Sequence, residues 1–524
     1  MKHNRRNEDN MKQQIMNYVR AGYSGIYIVS NEETRIESEI KSVAQELNHK
    51  LFAWSITEGL VDTADGSAHE GQDPQEMLLK VLELPENTMV LLRDFHLFLD
   101  TPPNPVLVRT LKDVLRAGKT MGKALVVLAC RQVLPPELER EFVVVEFALP
   151  GRNELEPVLD NIADSAGKAK PKGDKRDHLL DSACGLTSIE AENAFALSLI
   201  ESGELSPAIV AREKALAVKK NGLLEIQSAG KSLDDIGGLD QLKTWLIQRK
   251  DAFGPKAREY GLPSPKGLLI IGIPGTGKSL TAKATASVFQ RPLLKLDAGR
   301  LFGGLVGQSE GNLRSAIQTA EAIAPSVLWI DEIEKGFNGS KSSGVSDGGT
   351  ASRVFGSFVS WMQERTAPVF VVATANDVTQ LPPEFLRKGR WDEQFFVDLP
   401  NADEREAIWR IQIAKYGRKP DRFDVARLAK ETDGLTGSEI EQAFIDALYA
   451  AFGTSKEPTD AVIAKVLEDL VPLSKLMSEQ IASLRKWAKG RARPATTPEQ
   501  ERTGRKIHQA APPPPPAGMG VGQN

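Results

Sequence analysis

Residues 267–289 read Gly267-Leu-Leu-Ile-Ile-Gly272-Ile-Pro-Gly-Thr-Gly277-Lys278-Ser279-Leu-Thr-Ala-Lys-Ala-Thr-Ala-Ser-Val-Phe289. A strand-length apolar run, a glycine-rich loop of the form GxxxxGKS and a helix-forming segment follow one another directly. In that context the loop backbone curls so that its N–H groups surround the phosphates of a nucleoside triphosphate, and the dipole of the following helix adds partial positive charge. Lys278 supplies an ammonium and Ser279 a Mg2+ ligand. The candidate nucleotide-binding residues are therefore Gly272, Ile273, Pro274, Gly275, Thr276, Gly277, Lys278, Ser279 and Leu280, with Ser279 also a candidate metal ligand.

Around this loop lie 524 residues, too many for one hydrophobic core, so two to four domains are expected. With 41% hydrophobic and 26% charged residues the composition is that of a soluble globular protein, and a net charge of −4 gives no general nucleic-acid signature. Apolar stretches such as ALVVLAC and VFVVATA are strand-sized, and the N-terminus MKHNRRNEDNMKQQ is polar, so neither a membrane span nor a signal peptide is expected. Cys130 and Cys184 form no CxxC pair and do not cluster with the histidines, which argues against a disulfide framework or zinc site and fits a reducing cytosol or its equivalent.

Strand-like runs alternate with helical periodicity twice. GIYIVS, LFAWSI, TMVLLRD, ALVVLA and FVVVEF predict a mostly parallel α/β sheet in the first block, and helices follow from about His178 to Asn221. The charged stretch AGKAKPKGDKRD, residues 166–177, reads as a linker. The second α/β block runs from about Ser232 to Asn401, with helices after it to about Trp487. Short strings recur between the blocks in the same order. Leu134-Pro-Pro-Glu137 matches Leu381-Pro-Pro-Glu384, VLLRD ending at Asp94 matches VLWID ending at Asp331, and GLTSIEAENAF from Gly185 matches GLTGSEIEQAF from Gly434 at seven of eleven positions. The pattern predicts a duplicated module.

Chemistry concentrates in the second copy. Hydrolysis of a phosphoanhydride needs a metal clamp, an activated water and positive charge on the transition state. Asp331, at a strand end, is the candidate metal ligand, and Glu332 the group that polarises water. Asn376, after the next apolar run, is placed to hydrogen-bond the γ-phosphate or the water. Arg387 and Arg390 follow.

Taken together, SLDDIGGLDQLK, GIPGTGKS, VLWIDEIEK, VVATAN and LRKGRWDE resemble the classical clade of AAA ATPases over roughly residues 232–400. More narrowly, GRLFGGLVGQSEGNLR, LWIDEIEK, APVFVVATAN and LRKWAKGRAR resemble the hypothetical chloroplast reading frame 46 proteins of plastids, cyanobacteria and other bacteria. The resemblance implies a P-loop NTPase of AAA type, a three-layer α/β sandwich with a helical lid, that hydrolyses ATP with Mg2+. It implies that Asp235, Ile236 and Gly237 line the adenine pocket and that Asn376 is the sensor. It also makes Arg387 and Arg390 arginine fingers reaching the next subunit of a homo-oligomeric ring, usually a hexamer. Gly437 and Ser438 sit where the clade has a small residue in the lid. The expected division is a flexible 1–12, a degenerate AAA-like module 13–225, a large ATPase subdomain 230–402, a lid 403–489 and a disordered proline-rich tail 490–524.

The first copy lacks the machinery. IYIVSNEETR occupies the place of the phosphate loop without glycine or lysine, Phe95 aligns with Glu332, and between Glu137 and Leu149 the segment is three residues shorter than its partner and has no Gly-Arg pair. This predicts a scaffold or partner-binding module that does not use ATP. In the second copy, Leu305 replaces the aromatic residue that threading members of the clade use to grip polypeptide, which favours local remodelling of a protein partner over processive unfolding. NGSKSSGVSDGG, about residues 338–349, is either a second pore loop or a surface insertion. The basic cluster Arg485, Lys486, Lys489, Arg491 and Arg493 with Trp487 is either a nucleic-acid contact or a solvated helix end, and the run Pro512–Pro516 is a ligand for a proline-binding domain or a passive tail. A nucleic-acid-linked ATPase and a nucleotide-gated scaffold remain the alternative functions.

Overall fold

The computed structural model describes residues 4–497, apart from 70, 101, 221, 228–229, 255–256, 258, 303–307, 338–347, 388 and 454. The chain divides into two compact units, one of Met1–Ala229, Arg291–Val372 and Pro383–Arg390, the other of Gly230–Gln290, Ala373–Pro382 and Trp391–Asn524.

The first sheet contains β1 (Gly25–Val29), β2 (Lys50–Ser55), β3 (Gly59–Asp62), β4 (Ala68–His69), β5 (Thr88–Arg93), β6 (Ala124–Ala129) and β7 (Val143–Glu146), in the order β4-β3-β2-β5-β6-β1-β7. Its five long-range neighbours β2, β5, β6, β1 and β7 pair in parallel, and β3 and β4 add an antiparallel hairpin at one edge. Strand alternation splits its side chains between two cores. Tyr27, Phe52, Trp54, Val90, Leu92, Leu125 and Val127 face one layer of helices, while Ile26, Ile28, Leu51, Met89, Leu91, Val126 and Leu128 face the other. Both faces are covered, as a parallel sheet requires, and the module is three layers thick.

The second sheet contains β8 (Leu224–Gln227), β9 (Gly267–Gly272), β10 (Leu293–Leu296), β11 (Ser326–Ile330), β12 (Val369–Ala375), β13 (Glu393–Val397) and β14 (Arg493–Pro494), in the order β14-β13-β9-β12-β11-β10-β8. Its central run β13-β9-β12-β11-β10 repeats the first sheet's β7-β1-β6-β5-β2. Chance recurrence of short strings does not reproduce a strand order, so the duplication is structural.

Each sheet is followed by helices with their own core. In the first module these are Arg152–Ser165, Gly173–Ala183, Ser188–Ser202 and Pro207–Lys220; in the second, Ala402–Lys415, Val425–Glu431, Gly437–Phe452, Asp460–Glu468, Leu473–Leu476 and Ser478–Ala488. The recurring GLT strings start equivalent helices: Thr187 and Thr436 are N-caps with reciprocal partners Glu190 and Glu439, and Phe195 and Phe444 are fully buried.

Three boundaries differ from expectation. The charged stretch 166–177 does not separate sheet from helices, because helix Arg152–Ser165 precedes it and Gly173–Ala183 begins within it. Its charges pair across that turn, Arg176 with Asp160 at 2.5 Å and Lys170 with Asp164 at 2.9 Å, and so they stabilise a helical hairpin. At the N-terminus, helix Asn4–Arg20 starts inside the segment expected to be flexible, and it buries Ile15 and Met16 against the first sheet. At the other end, ordered chain extends past 490 into β14 and on to Thr497. The residues of the proline-rich run lie outside the described residues, as do the Leu305 loop and most of the 338–349 stretch.

Candidate active site

The phosphate loop joins β9 to helix Lys278–Phe289. All six residues of β9 are buried, so the loop emerges from a rigid strand. Gly277 holds φ +92 as N-cap and brings no side chain to the helix start. The Lys278 ammonium, only 6% exposed, donates to the carbonyls of Gly272 at 2.9 Å and Ile273 at 2.7 Å. Thr276 Oγ1 donates to Ile273 O at 2.7 Å and closes the loop. A buried cation held by its own loop, together with a helix start lacking a side-chain cap, fits a polyanionic ligand.

The lid reaches the same loop. Ser438, one residue into helix Gly437–Phe452, donates from its N–H and hydroxyl to Gly275 O at 3.1 and 3.3 Å. Asp235 closes the short 3-10 turn Leu233–Asp235, where its carboxylate accepts from the N–H of Ser232 at 2.7 Å, the bond that holds its pKa down. Ile236 is buried, and its carbonyl accepts from Lys243 Nζ at 2.6 Å. One unit thus gathers Asp235–Gly237, the phosphate loop, Asn376 and the lid, with Asn376 directly after the fully buried β12.

Asp331, Glu332, Arg387 and Arg390 belong to the other unit. Asp331 and Glu332 follow β11, and Glu332 adopts φ 47, an uncommon backbone for a non-glycine residue that turns the chain out of the strand into the 3-10 helix Ile333–Phe337. Its carboxylate forms an ion pair with Lys335, which raises the Lys335 pKa. Arg387 is exposed, whereas Arg390 is half-buried and donates to Glu384 O.

The first module inverts these charges. Asp94 has φ 51 and precedes the 3-10 helix Phe95–Phe98, so Asp94 is the backbone counterpart of Glu332. The i+3 amides agree: Leu97 N donates to Asp94 O and Lys335 N to Glu332 O. By sequence Phe95 aligns with Glu332, and the backbone moves the register by one. Arg93 therefore stands where Asp331 stands, and Glu33, first in helix Glu33–Glu46, where Lys278 stands. Arg93 meets Glu37 at 2.5 Å, Glu58 at 2.9 Å and Glu33 at 3.7 Å. Burial first, then Glu37, raises the Glu33 pKa, and Asp94 and Glu58 add to it. Three carboxylates face one guanidinium. At about 5 Å and an effective dielectric near 20, each uncompensated carboxylate repels a phosphate charge by about 3 kcal/mol, more than the roughly 0.3–2 kcal/mol that a helix N-terminus returns. Glu32, 3% exposed, also accepts from Ser188 N at 2.8 Å and Oγ at 2.7 Å, placing an internal anion at the start of the lid helix.

Family models match the two modules separately. A family model for the ATPase family associated with various cellular activities (AAA) matches residues 268–399. The SpoVK-like AAA ATPase N-terminal domain matches 11–147, and the second domain of the same group matches 153–221. The uncharacterized AAA domain-containing protein ycf46 of Guillardia theta is 39% identical over 478 residues, 90% of this chain and 93% of the relative. That of Pyropia yezoensis is 38% identical over 499 residues, covering 93% and 99%. The chain belongs to the ycf46 family of AAA domain-containing proteins. An ATP-dependent zinc metalloprotease FtsH from Acaryochloris marina is 30% identical over 242 residues, 45% of this chain. This ycf46 relative is accordingly an ATP-binding and ATP-hydrolysing enzyme with an AAA-like module ahead of its ATPase domain.

Among the described residues no helix is long and apolar enough to cross a membrane, and no three His, Cys, Asp or Glu side chains are grouped to hold a metal alone. Two members of the basic C-terminal cluster pair within the chain. Arg485 chelates the Asp398 carboxylate at 2.8 to 2.9 Å, and Arg493 donates to Gln241 at 3.1 Å.

Proposed function

We propose that this chain is a Mg2+-dependent ATPase of the cytosol or plastid stroma that works as a homo-oligomeric ring, hexameric by resemblance, and uses each ATP cycle to remodel a protein partner. The contrast between the modules carries the reading. One keeps the loop, the buried lysine and the acidic pair on matching backbone, and the other has exchanged their charges.

In this reading Asp235, Ile236 and Gly237 receive the base, and the loop N–H groups with Lys278 bind the β- and γ-phosphates. Ser279 and Asp331 hold Mg2+, which when bound neutralises charge on the transferring phosphoryl group. Glu332 accepts the proton of the attacking water, Asn376 orients that water, and Arg387 and Arg390 of a neighbouring subunit stabilise the transition state. The first module serves as scaffold. Leu305 in place of an aromatic grip favours local remodelling.

Pairing of Arg485 and Arg493 inside the chain weighs against a nucleic-acid contact. Steady-state phosphate release by the full chain decides. The expected outcome is turnover that disappears in Lys278→Ala and is insensitive to added single-stranded DNA or RNA from about 50 to 200 mM salt. Stimulation that falls steeply with salt would replace the remodelling reading with a nucleic-acid-linked ATPase.

A further inference from the structure

After the last lid helix, Ser478–Ala488, the chain returns to the sheet of the ATPase subdomain. β14 pairs in parallel with β13, Phe395 opposite Arg493 and Phe396 opposite Pro494, and Ala495 N donates to Phe396 O at 2.9 Å. Ala495 is 1% exposed, and its carbonyl accepts from Gln241 N and Leu242 N, both at 3.1 Å. Those amides belong to the first turn of helix Asp240–Ile247, whose N-cap, Leu239, offers no side-chain cap. The returning segment caps that helix in its place. Thr497 donates from its N–H to the Asp240 carboxylate at 2.9 Å and from its hydroxyl to the same group.

Thr496 lies between these anchors and points the other way. Its hydroxyl donates to Glu404 Oε1 at 2.6 Å. Glu404 is 5% exposed in the first turn of lid helix Ala402–Lys415, and Oε1 also accepts from Leu239 N at 3.0 Å while Oε2 accepts from Asn401 N at 3.0 Å. A buried carboxylate needs such donors, and here they come from the lid, from the chain after Gly238 and from the C-terminal segment. The contact is close: Gly238 holds φ +79, and a Cβ there would overlap the Glu404 carboxylate. Next to it a Cβ on Gly237 would lie 2.9 Å from Ile408 N on the same helix.

We infer that residues 493–497 form a strap belonging to the nucleotide site: through Glu404, Thr496 positions the segment 235–239 that receives the base. The inference rests on the proposed role of Asp235, Ile236 and Gly237. Thr496 and Glu404 are positioning residues, which touch the wall of the pocket and not the phosphates. Their effect falls on recognition of the base and not on the chemical step.

The test uses the full chain and two ligands, ATP and inorganic tripolyphosphate, which shares the phosphates but has no base. Thr496→Val removes the hydroxyl and keeps the shape, and Thr496→Ser keeps the hydroxyl. Thr496→Val is expected to raise KM for ATP about tenfold, the loss of one hydrogen bond to a charged group, with kcat within about twofold. Inhibition by tripolyphosphate should stay as in the native chain, and Thr496→Ser should restore the native KM. Ile236→Ala reads the base wall directly and should also weaken ATP without weakening tripolyphosphate. If Ile236→Ala changes that ratio and Thr496→Val does not, the strap has no part in base recognition and the inference fails alone. If Ile236→Ala leaves the ratio unchanged, the base lies elsewhere and both readings fall. Equal weakening of ATP and tripolyphosphate in Thr496→Val would mark a general loss of structure and would also overturn the inference.

Discussion

Glu332→Gln is expected to lower steady-state ATP turnover by about 100- to 10,000-fold, the usual contribution of a positioned general base, while ATP remains bound. The substitution keeps the side chain's length and removes only its ability to take a proton. Glu332 already occupies an uncommon backbone region at φ 47, and glutamine tolerates that region no worse than glutamate, so the turn should persist. Because Lys278 and the loop amides are untouched, ATP affinity should stay within about threefold, and turnover and binding should separate cleanly. Phosphate release under single-turnover conditions, with bound nucleotide measured on the same sample, checks both halves. A variant that turns over at the native rate would remove Glu332 from the mechanism, and one that no longer binds ATP would make it a structural residue.

Replacing the two arginines together, Arg387→Ala with Arg390→Ala, should lower turnover by about a thousandfold or more and spare ATP affinity, as expected for groups that act on the transition state. The two are not equivalent in place. Arg387 is exposed, whereas the Arg390 guanidinium is partly held by Glu384 O, so Arg387→Ala alone is expected to cost turnover with less effect on thermal stability than Arg390→Ala. In the proposed ring they serve a neighbour's site. Mixing the arginine-deficient chain with a Lys278→Ala chain, each inactive alone, should therefore restore part of the activity, since some interfaces then pair an intact loop with intact fingers. Mixtures that stay silent at every ratio would place the arginines in their own chain's site or outside catalysis.

Much of this was legible in the sequence because the decisive groups are local. GIPGTGKS sits between a strand and a helix, and both form as read, with Lys278 buried in its own loop. The duplication was visible in three short strings, and the repeated strand order shows it in the backbone. What the strings could not fix was register. VLLRD and VLWID align well by hydropathy, yet the residue that turns out of the strand is Asp94 in one and Glu332 in the other, and a left-handed backbone position leaves no mark in hydropathy. Hence the exchange of Arg93 for Asp331 became apparent only with the turn in view. The pairing of Glu32 with Ser188 and of Glu404 with Thr496 escaped for a different reason. Each joins residues far apart in sequence, 156 positions in the first case and 92 in the second, and no spacing rule reaches across that interval. For Glu404 a partial signal existed, since Asn401 and Glu404 form a capping pair at the lid helix start, but that motif predicts a helix and not a hub. The charged stretch 166–177 misled because ion pairs within a helical hairpin and a solvated linker have the same composition.

The central claim is that this duplicated chain has one competent nucleotide site. Equilibrium dialysis of ATP against the full-length Glu332→Gln chain, where hydrolysis does not deplete the ligand, measures it directly. One ATP bound per chain, falling to none when Lys278→Ala is added, is the predicted result; two per chain, or one that survives the loss of Lys278, would contradict it.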